Sequence, residues 1–386
     1  MTQARRHRAR GVLTPEGLLV DGTVVVGSDG TIVEVRRATA DDPAPLDGWL
    51  LPGLVNAHLH LEFAAQGLVP SGGGFMGWGQ RLMACRAPLD ADAEAASARA
   101  MRDAGIAGVF DISNGGHTAD ALLAAGLRGV VQHELTGWGN KPDLEQRLRR
   151  MAEPPSGEGV VVRPGPHAVY STGPAMLKAS MAPRGDVPVS LHLGEDHGEV
   201  ELVRDLEGPF TDWLLGLGIP EDELAVFGRG QGLVAYLDDL GVLHDRVLLV
   251  HGVQLDRDEH QVLAERGVSV CLCPRSNQHI LGELPDVGSM VRAGVPLALG
   301  TDSLSSSPDL DLFGEIQLLV DAFPEVAPIT WLHAATAGGA RALRRHDLGR
   351  LEIGARPGLL LLEGLGDPSE LVERPPVRWL EPLEAP

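Results

Sequence analysis

"PGLVNAHLHLEF", residues 52–63, is an apolar run that ends in two histidines one residue apart. Residues i and i+2 of a strand point to the same side, so His58 and His60 project their rings into one space. A continuous run of this kind suits a strand covered on both faces, as in a parallel sheet. Similar runs follow at "GIAGVFDIS" (105–113), "LRGVVQHEL" (127–135), "GVVVRPGPHAV" (159–169) and "VPVSLHL" (187–193). Three more stand at "RVLLVHG" (246–252), "GVSVCLC" (267–273) and "GVPLALGTD" (294–302). Amphipathic segments such as 90–105 and 258–267 separate them and stop at glycine, a common helix end. Eight strands alternating with helices imply an α/β fold, a closed (β/α)8 TIM barrel. An open doubly wound sheet is the alternative.

The ends of the chain read differently. "GLLVDGTVVVGSDGTIVEVRR" (17–37) carries Asp-Gly pairs, which signal hairpins, and "LGRLEIGARPGLLLLEG" (348–364) repeats the style. Residues 1–52 and 350–386 are expected to form a small β-sandwich, with 53–349 as the barrel. "PSGGGFMGWG" (70–79) reads as a glycine-rich, mobile loop at the barrel mouth.

The last residues of the strands carry the chemistry. The first ends in His58 and His60, the fourth in His167, the fifth in His192, the sixth in His251 and the eighth in Asp302. In a barrel, that rim holds the active site. A lone strand-end histidine is ordinary, but five with a carboxylate need a common cause. Neutral imidazole and carboxylate suit Zn²⁺, and secondarily Fe²⁺. His58, His60, His192 and Asp302 are the candidate donors for one divalent ion. The fourth strand has no Lys or Glu at its end to bridge a second. Glu195, three residues past His192, is placed to overhang the site, whereas His197 and Glu199 read as surface groups. Ser276 and Asn277 in "CPRSN" could order the mouth, and a serine-rich turn containing Ser305 follows Asp302.

Bulk properties narrow the partners. The net charge of -21 disfavours nucleic acid and anionic membranes. No apolar run reaches membrane-spanning length, and the basic start lacks the apolar core of a signal peptide, so a cytoplasmic protein is expected. Cys85, Cys271 and Cys273 make no disulfide framework and read as buried thiols. The expected partner is a small-molecule substrate, with a homodimer as the ordinary oligomer.

The segments "PGLVNAHLHLE", "PHAVYS", "HLGED", "LLVHG", "CLCPRSN" and "LGTDSLSSSPDLDLF" together resemble the amidohydrolase superfamily. The resemblance lies in its branch of cytosine, guanine and nucleoside deaminases and triazine hydrolases. It implies that His58, His60, His192 and Asp302 hold one metal, that His251 contacts the hydrolytic water, and that Glu195 is the proton shuttle. It also implies His167 and Trp78 as substrate contacts, with Ser305 beside them. Relatives acting on methylthioadenosine or adenosylhomocysteine carry an acidic residue two before that tryptophan; here it is Met76. Within the branch, "FMGWGQRLMACR" and "HLGEDHGEVELVRDLEGPFTDWLLGLG" are most similar to aminofutalosine deaminases of menaquinone biosynthesis. The implied activity is hydrolytic deamination of a 6-aminopurine nucleoside. Adenosine/S-adenosylhomocysteine, guanine, cytosine or triazine aminohydrolases, amide or carbon–chlorine hydrolases, and a non-catalytic scaffold are the alternatives. A nucleotide-binding oxidoreductase is set aside, since no glycine-rich fingerprint follows the early strands.

Overall fold

Four strands open the chain: β1 (Arg5–Thr14), β2 (Gly17–Val26), β3 (Ile32–Arg37) and β4 (Leu46–Leu51). Eight follow in the order expected: β5 (Leu54–Leu59), β6 (Ile106–Ile112), β7 (Arg128–Leu135), β8 (Val160–Pro166), β9 (Val189–Leu193), β10 (Val247–His251), β11 (Ser269–Leu272) and β12 (Leu297–Leu299). The chain closes with β13 (Leu359–Glu363) and β14 (Val377–Glu381). This computed structural model describes residues 4–115, 117–139, 144, 148 and 159–383.

Every residue of β5, β6, β9, β10 and β11 is buried, as expected where helices cover one side of a strand and the barrel interior the other. All eight strands are parallel to their neighbours, in two ladders, β5-β6-β7-β8 and β12-β11-β10-β9. Single parallel bridges, Leu59 to Asp302 and Ala168 to His192, join the ladders at both edges. At the first seam the His58 carbonyl accepts the backbone N–H groups of Thr301 and Asp302, each at 3.0 Å. The sheet is therefore a closed barrel and not an open doubly wound one. Gly300 permits this seam, because a Cβ there would stand 2.7 Å from the His58 carbonyl oxygen and 2.8 Å from Cys271 Sγ.

The terminal strands form one hydrogen-bonded sheet in the order β14-β13-β4-β1-β2-β3, so both ends of the chain meet through β4 and β13. The Asp29-Gly30 pair lies in the β2–β3 turn, as hairpin signals should. Asp21-Gly22 does not; it lies inside β2, where Asp21 takes φ 50° and the ladder with β1 continues on both sides. A glycine is needed there for close approach, since a Cβ on Gly22 would meet Val12 Cγ2 at 2.5 Å.

The segment read as a mouth loop is a loop only as far as Gly73. Gly74–Cys85 is a helix. Gly72, Gly73 and Gly74 all have positive φ and make the turn into it, and Phe75, Trp78 and Leu82 pack with Val69 and Ile280. Tertiary packing of this kind, more than propensity, is what stabilises short helices. Cys271 and Cys273 are buried thiols as expected, but Cys85 is exposed. Among the described residues, no helix is long and apolar enough to cross a membrane.

Candidate active site

The strand-end residues converge. His58 belongs to two clusters, one with His60 and Asp302 and one with His192 and His251, and within each the candidate ligand atoms lie within 4.8 Å of one another. His60 Nε2 is 3.5 Å and His58 Nε2 3.7 Å from Asp302 Oδ1. The His58 and His192 rings are 4.9 Å apart between centroids, those of His60 and His192 5.4 Å. His251, the last residue of β10, and Asp302, just past β12, take φ of 75° and 57°. Left-handed backbone at non-glycine residues costs about 1–3 kcal/mol each and is concentrated at functional sites.

Neighbours then fix each donor. Asp302 Oδ2 accepts the hydroxyls of Ser276 (2.6 Å) and Ser306 (2.9 Å), leaving Oδ1 toward the histidines. His192 Nδ1 is 3.0 Å from the His167 carbonyl; it donates there and leaves the Nε2 lone pair free. Asn277 Nδ2 lies 2.9 Å from His251 Nδ1. An amide nitrogen only donates, so His251 keeps its proton on Nε2, which stands 3.5 Å from Glu195 Oε2. Ser276 and Asn277 thus order the buried cluster itself and not merely its mouth.

These residues fit a cation. Both ring nitrogens of His58 and Nδ1 of His60 are buried without a hydrogen-bond partner, a costly state for polar atoms unless a ligand completes them. Burial, followed by the charges of the other histidines, lowers the pKa of His60 to about 3 and holds His192 well below its ordinary value. Burial lowers His251 to about 4, against the opposing pull of Asp302. Burial pushes Asp302 upward, but the His58 imidazole 3.7 Å away and the charges of His60 and His251 outweigh it and hold the acid well below the usual carboxylate range. Neutral imidazoles around one carboxylate are the donor set of Zn²⁺ or Fe²⁺.

The cluster floors a cavity of about 880 Å³. Glu195, His167, Trp78 and Ser305 all line it. Glu195 is 6% exposed, and burial, then the charge of Asp302, raises its pKa well above the usual carboxylate range. His167 is hydrogen-bonded through Nδ1 to Ser171 at 2.7 Å. The indole N–H of Trp78 is buried without a partner. The Ser305 hydroxyl is engaged with Ser303. The wall away from the histidines is apolar, built from Phe75, Met76 and Met83 of the Gly74–Cys85 helix and Phe210, Trp213 and Leu214 of the Gly208–Gly216 helix.

Two glutamates depart from the sequence reading. His197 is exposed as expected, but Glu199 is 1% exposed and is no surface group. Its carboxyl group receives the backbone N–H of Gly194, pinning the turn that carries Glu195. Glu134 passed unnoticed. It stands near the C-terminal end of β7 and lines the same cavity; the strand-end rule that singled out the histidines also covers it.

Comparisons with known proteins bear on the family of the chain. The amidohydrolase family model matches residues 49–383. A 5-methylthioadenosine/S-adenosylhomocysteine deaminase of Halobacterium salinarum is 30% identical, with 94% of this chain and 85% of the relative covered. An aminodeoxyfutalosine deaminase of Deinococcus radiodurans is also 30% identical, with 86% and 82% covered. The crystal structure of an adenosine deaminase from Xanthomonas campestris with bound zinc superposes with a TM-score of 0.73 at 28% identity, covering 96% of this chain and 89% of that one.

Proposed function

This chain belongs to the amidohydrolase family, and we propose that it is a metal-dependent deaminase of adenosine-type nucleosides, with aminofutalosine (aminodeoxyfutalosine, of menaquinone biosynthesis) as its substrate. The division of labour we propose puts the chemistry in residues 53–349 and leaves 1–52 and 350–386 as the supporting sheet. The observation that carries the reading is the buried Glu195–His251 pair, 3.5 Å apart, beside the His58, His60, His192 and Asp302 cluster. It is a proton carrier and an N–H donor set over a cation site, the arrangement that hydrolytic loss of an amine requires.

His58, His60, His192 and Asp302 hold the ion in this reading, with zinc proposed because the similar adenosine deaminase holds it. A bound divalent ion supplies Lewis acidity that lowers the pKa of coordinated water from about 16 toward 7. Asp302 accepts a proton from the attacking water. Glu195, its carboxyl group pushed well above the usual carboxylate range by burial, delivers a proton to the ring nitrogen beside the attacked carbon. His251 Nε2–H donates to the oxygen added at that carbon. The amino group takes the proton held by Asp302 and leaves as ammonia while the added hydroxyl returns its proton to Glu195, so water and the 6-amino compound become the 6-oxo compound and ammonia. General acid–base help of this kind contributes ~10²–10⁴-fold. Trp78, His167 and Ser305 are the proposed substrate contacts.

The apolar outer wall supports the finer assignment. Phe75, Met76, Phe210 and Trp213 suit a bulky apolar group on the 5′ carbon. Among the described residues lining the cavity, Arg86 is the sole lysine or arginine, and it is paired with Glu62 at 3.1 Å. Adenosylhomocysteine ends in an aliphatic ammonium and carboxylate and aminofutalosine in an aryl carboxylate, so it is the aromatic side chains of this wall that favour the latter. Ammonia release from adenosine, 5′-methylthioadenosine, adenosylhomocysteine and aminofutalosine tests this. Aminofutalosine should give the highest kcat/KM; a preference for adenosylhomocysteine would reject the assignment, and no release from any nucleoside would reject deamination itself.

A further inference from the structure

Glu134 has no place in the chemistry above. Its backbone N–H donates to Asn114 Oδ1 at 2.9 Å, which fixes the end of β7 beside the second barrel strand. Its side chain is 11% exposed and lines the cavity, yet Oε1 is buried without a hydrogen-bond partner. The nearest candidate donor, His192 Nδ1, is 3.6 Å away, too far for a hydrogen bond, and already serves the His167 carbonyl at 3.0 Å. That engagement also leaves His192 Nδ1 without a lone pair for a cation, so Glu134, His167 and His192 do not form a second metal site. Arg86, the cavity's lysine-or-arginine side chain, is committed to Glu62 and the face of the Phe63 ring.

A buried acceptor that nothing in the chain satisfies is expected to find its donor in a ligand. We infer that Glu134 is the acceptor of a sugar hydroxyl, reading the 2′- or 3′-OH of a ribonucleoside on the His167 side of the cavity. The inference rests on the nucleoside reading above and adds a specificity residue to it. The chemistry of the surroundings fits: of the carboxyl groups in the described lining, Glu62 is paired with Arg86, Asp302 with Ser276 and Ser306, and Glu195 faces His251, while Glu134 is left without a donor. The wall is therefore suited to a ligand that offers donors and unsuited to one that offers an anion at this point. A site built to accept a hydroxyl rejects the analogue that lacks it, because its own polar atom is then left unpaired.

The test compares adenosine, 2′-deoxyadenosine and 3′-deoxyadenosine on the metal-loaded wild type and on Glu134→Leu, which has no acceptor, with metal content measured in both. In the wild type, loss of the hydroxyl that is read lowers kcat/KM by about 5–10²-fold, the cost of leaving a buried acceptor unpaired. In Glu134→Leu the ratio between the ribo and deoxy substrates falls toward one while bound metal is unchanged. Indifference of the wild type to both hydroxyls overturns the inference, as does discrimination that survives in the variant. Loss of metal with an equal fall on all three substrates overturns it too, and makes Glu134 an orienting residue for His192. If the wild type deaminates none of them or any other adenosine-type nucleoside, the nucleoside reading itself fails.

Discussion

A single hydrogen bond sets the tautomer of His251, whose Nε2 stands 3.5 Å from Glu195. The Asn277 amide donates to His251 Nδ1 and thereby places the imidazole proton on Nε2, facing Glu195. Asn277→Asp replaces that donor by an acceptor of the same shape, so the proton moves to Nδ1 and a lone pair faces the carboxyl group. The expected result is a fall in kcat on the order of 10²–10⁴-fold with metal retained, read from steady-state rates alongside metal analysis. An unchanged kcat would show that the tautomer is irrelevant. At this scale the sequence was most legible where chemistry and position coincide. His58, His60, His192, His251 and Asp302 stand out because a polar residue at the end of an apolar strand is conspicuous. Glu195 was legible only through its neighbour His192. Ser306 was not, because nothing in a serine-rich turn says which hydroxyl reaches Asp302 Oδ2.

Between residue and molecule lies the turn after β9. Gly194 adopts φ 63° there, and the buried Glu199 carboxyl group accepts the backbone N–H of Gly194. Burial raises the Glu199 pKa from 4.5 to about 8, against the opposing effect of the neighbouring backbone N–H groups. The folded chain therefore keeps a proton that the unfolded chain releases from pH 4.5 upward. The contribution to stability is fully present below pH 4.5 and is lost as pH rises through 8. Glu199→Gln cannot titrate, so its disadvantage relative to wild type should narrow between pH 5 and pH 8 by on the order of 4 kcal/mol. Urea unfolding of both proteins at the two pH values measures it; a gap that widens contradicts the assignment. Elements whose identity is set by hydrophobic continuity, such as β5 and β10, were readable. The Gly74–Cys85 helix was not, because its glycines argue for a loop and only the packing of Phe75, Trp78 and Leu82 against distant residues overrules them. Glu199 was misjudged for the same reason: its burial depends on a fold around it that no local pattern announces.

On the scale of the whole molecule, the barrel consists of two four-stranded ladders that meet at two single-bridge seams. His58 and His60 come from the β5 side, His192 from β9 and Asp302 from just past β12, so the candidate ligands straddle both halves and crowd the seams. A shared ion would tie the halves together, and its binding energy would count as folding energy. Eight parallel strands and their closure were legible from the number and spacing of apolar runs. The seams were not, because they depend on backbone approach at Gly300. The metal-to-protein ratio of the purified chain, measured beside His58→Ala, tests the shared centre most directly. One divalent ion per chain in the wild type and none in the variant is the predicted result; a ratio of two, or a variant that keeps its ion, would contradict it.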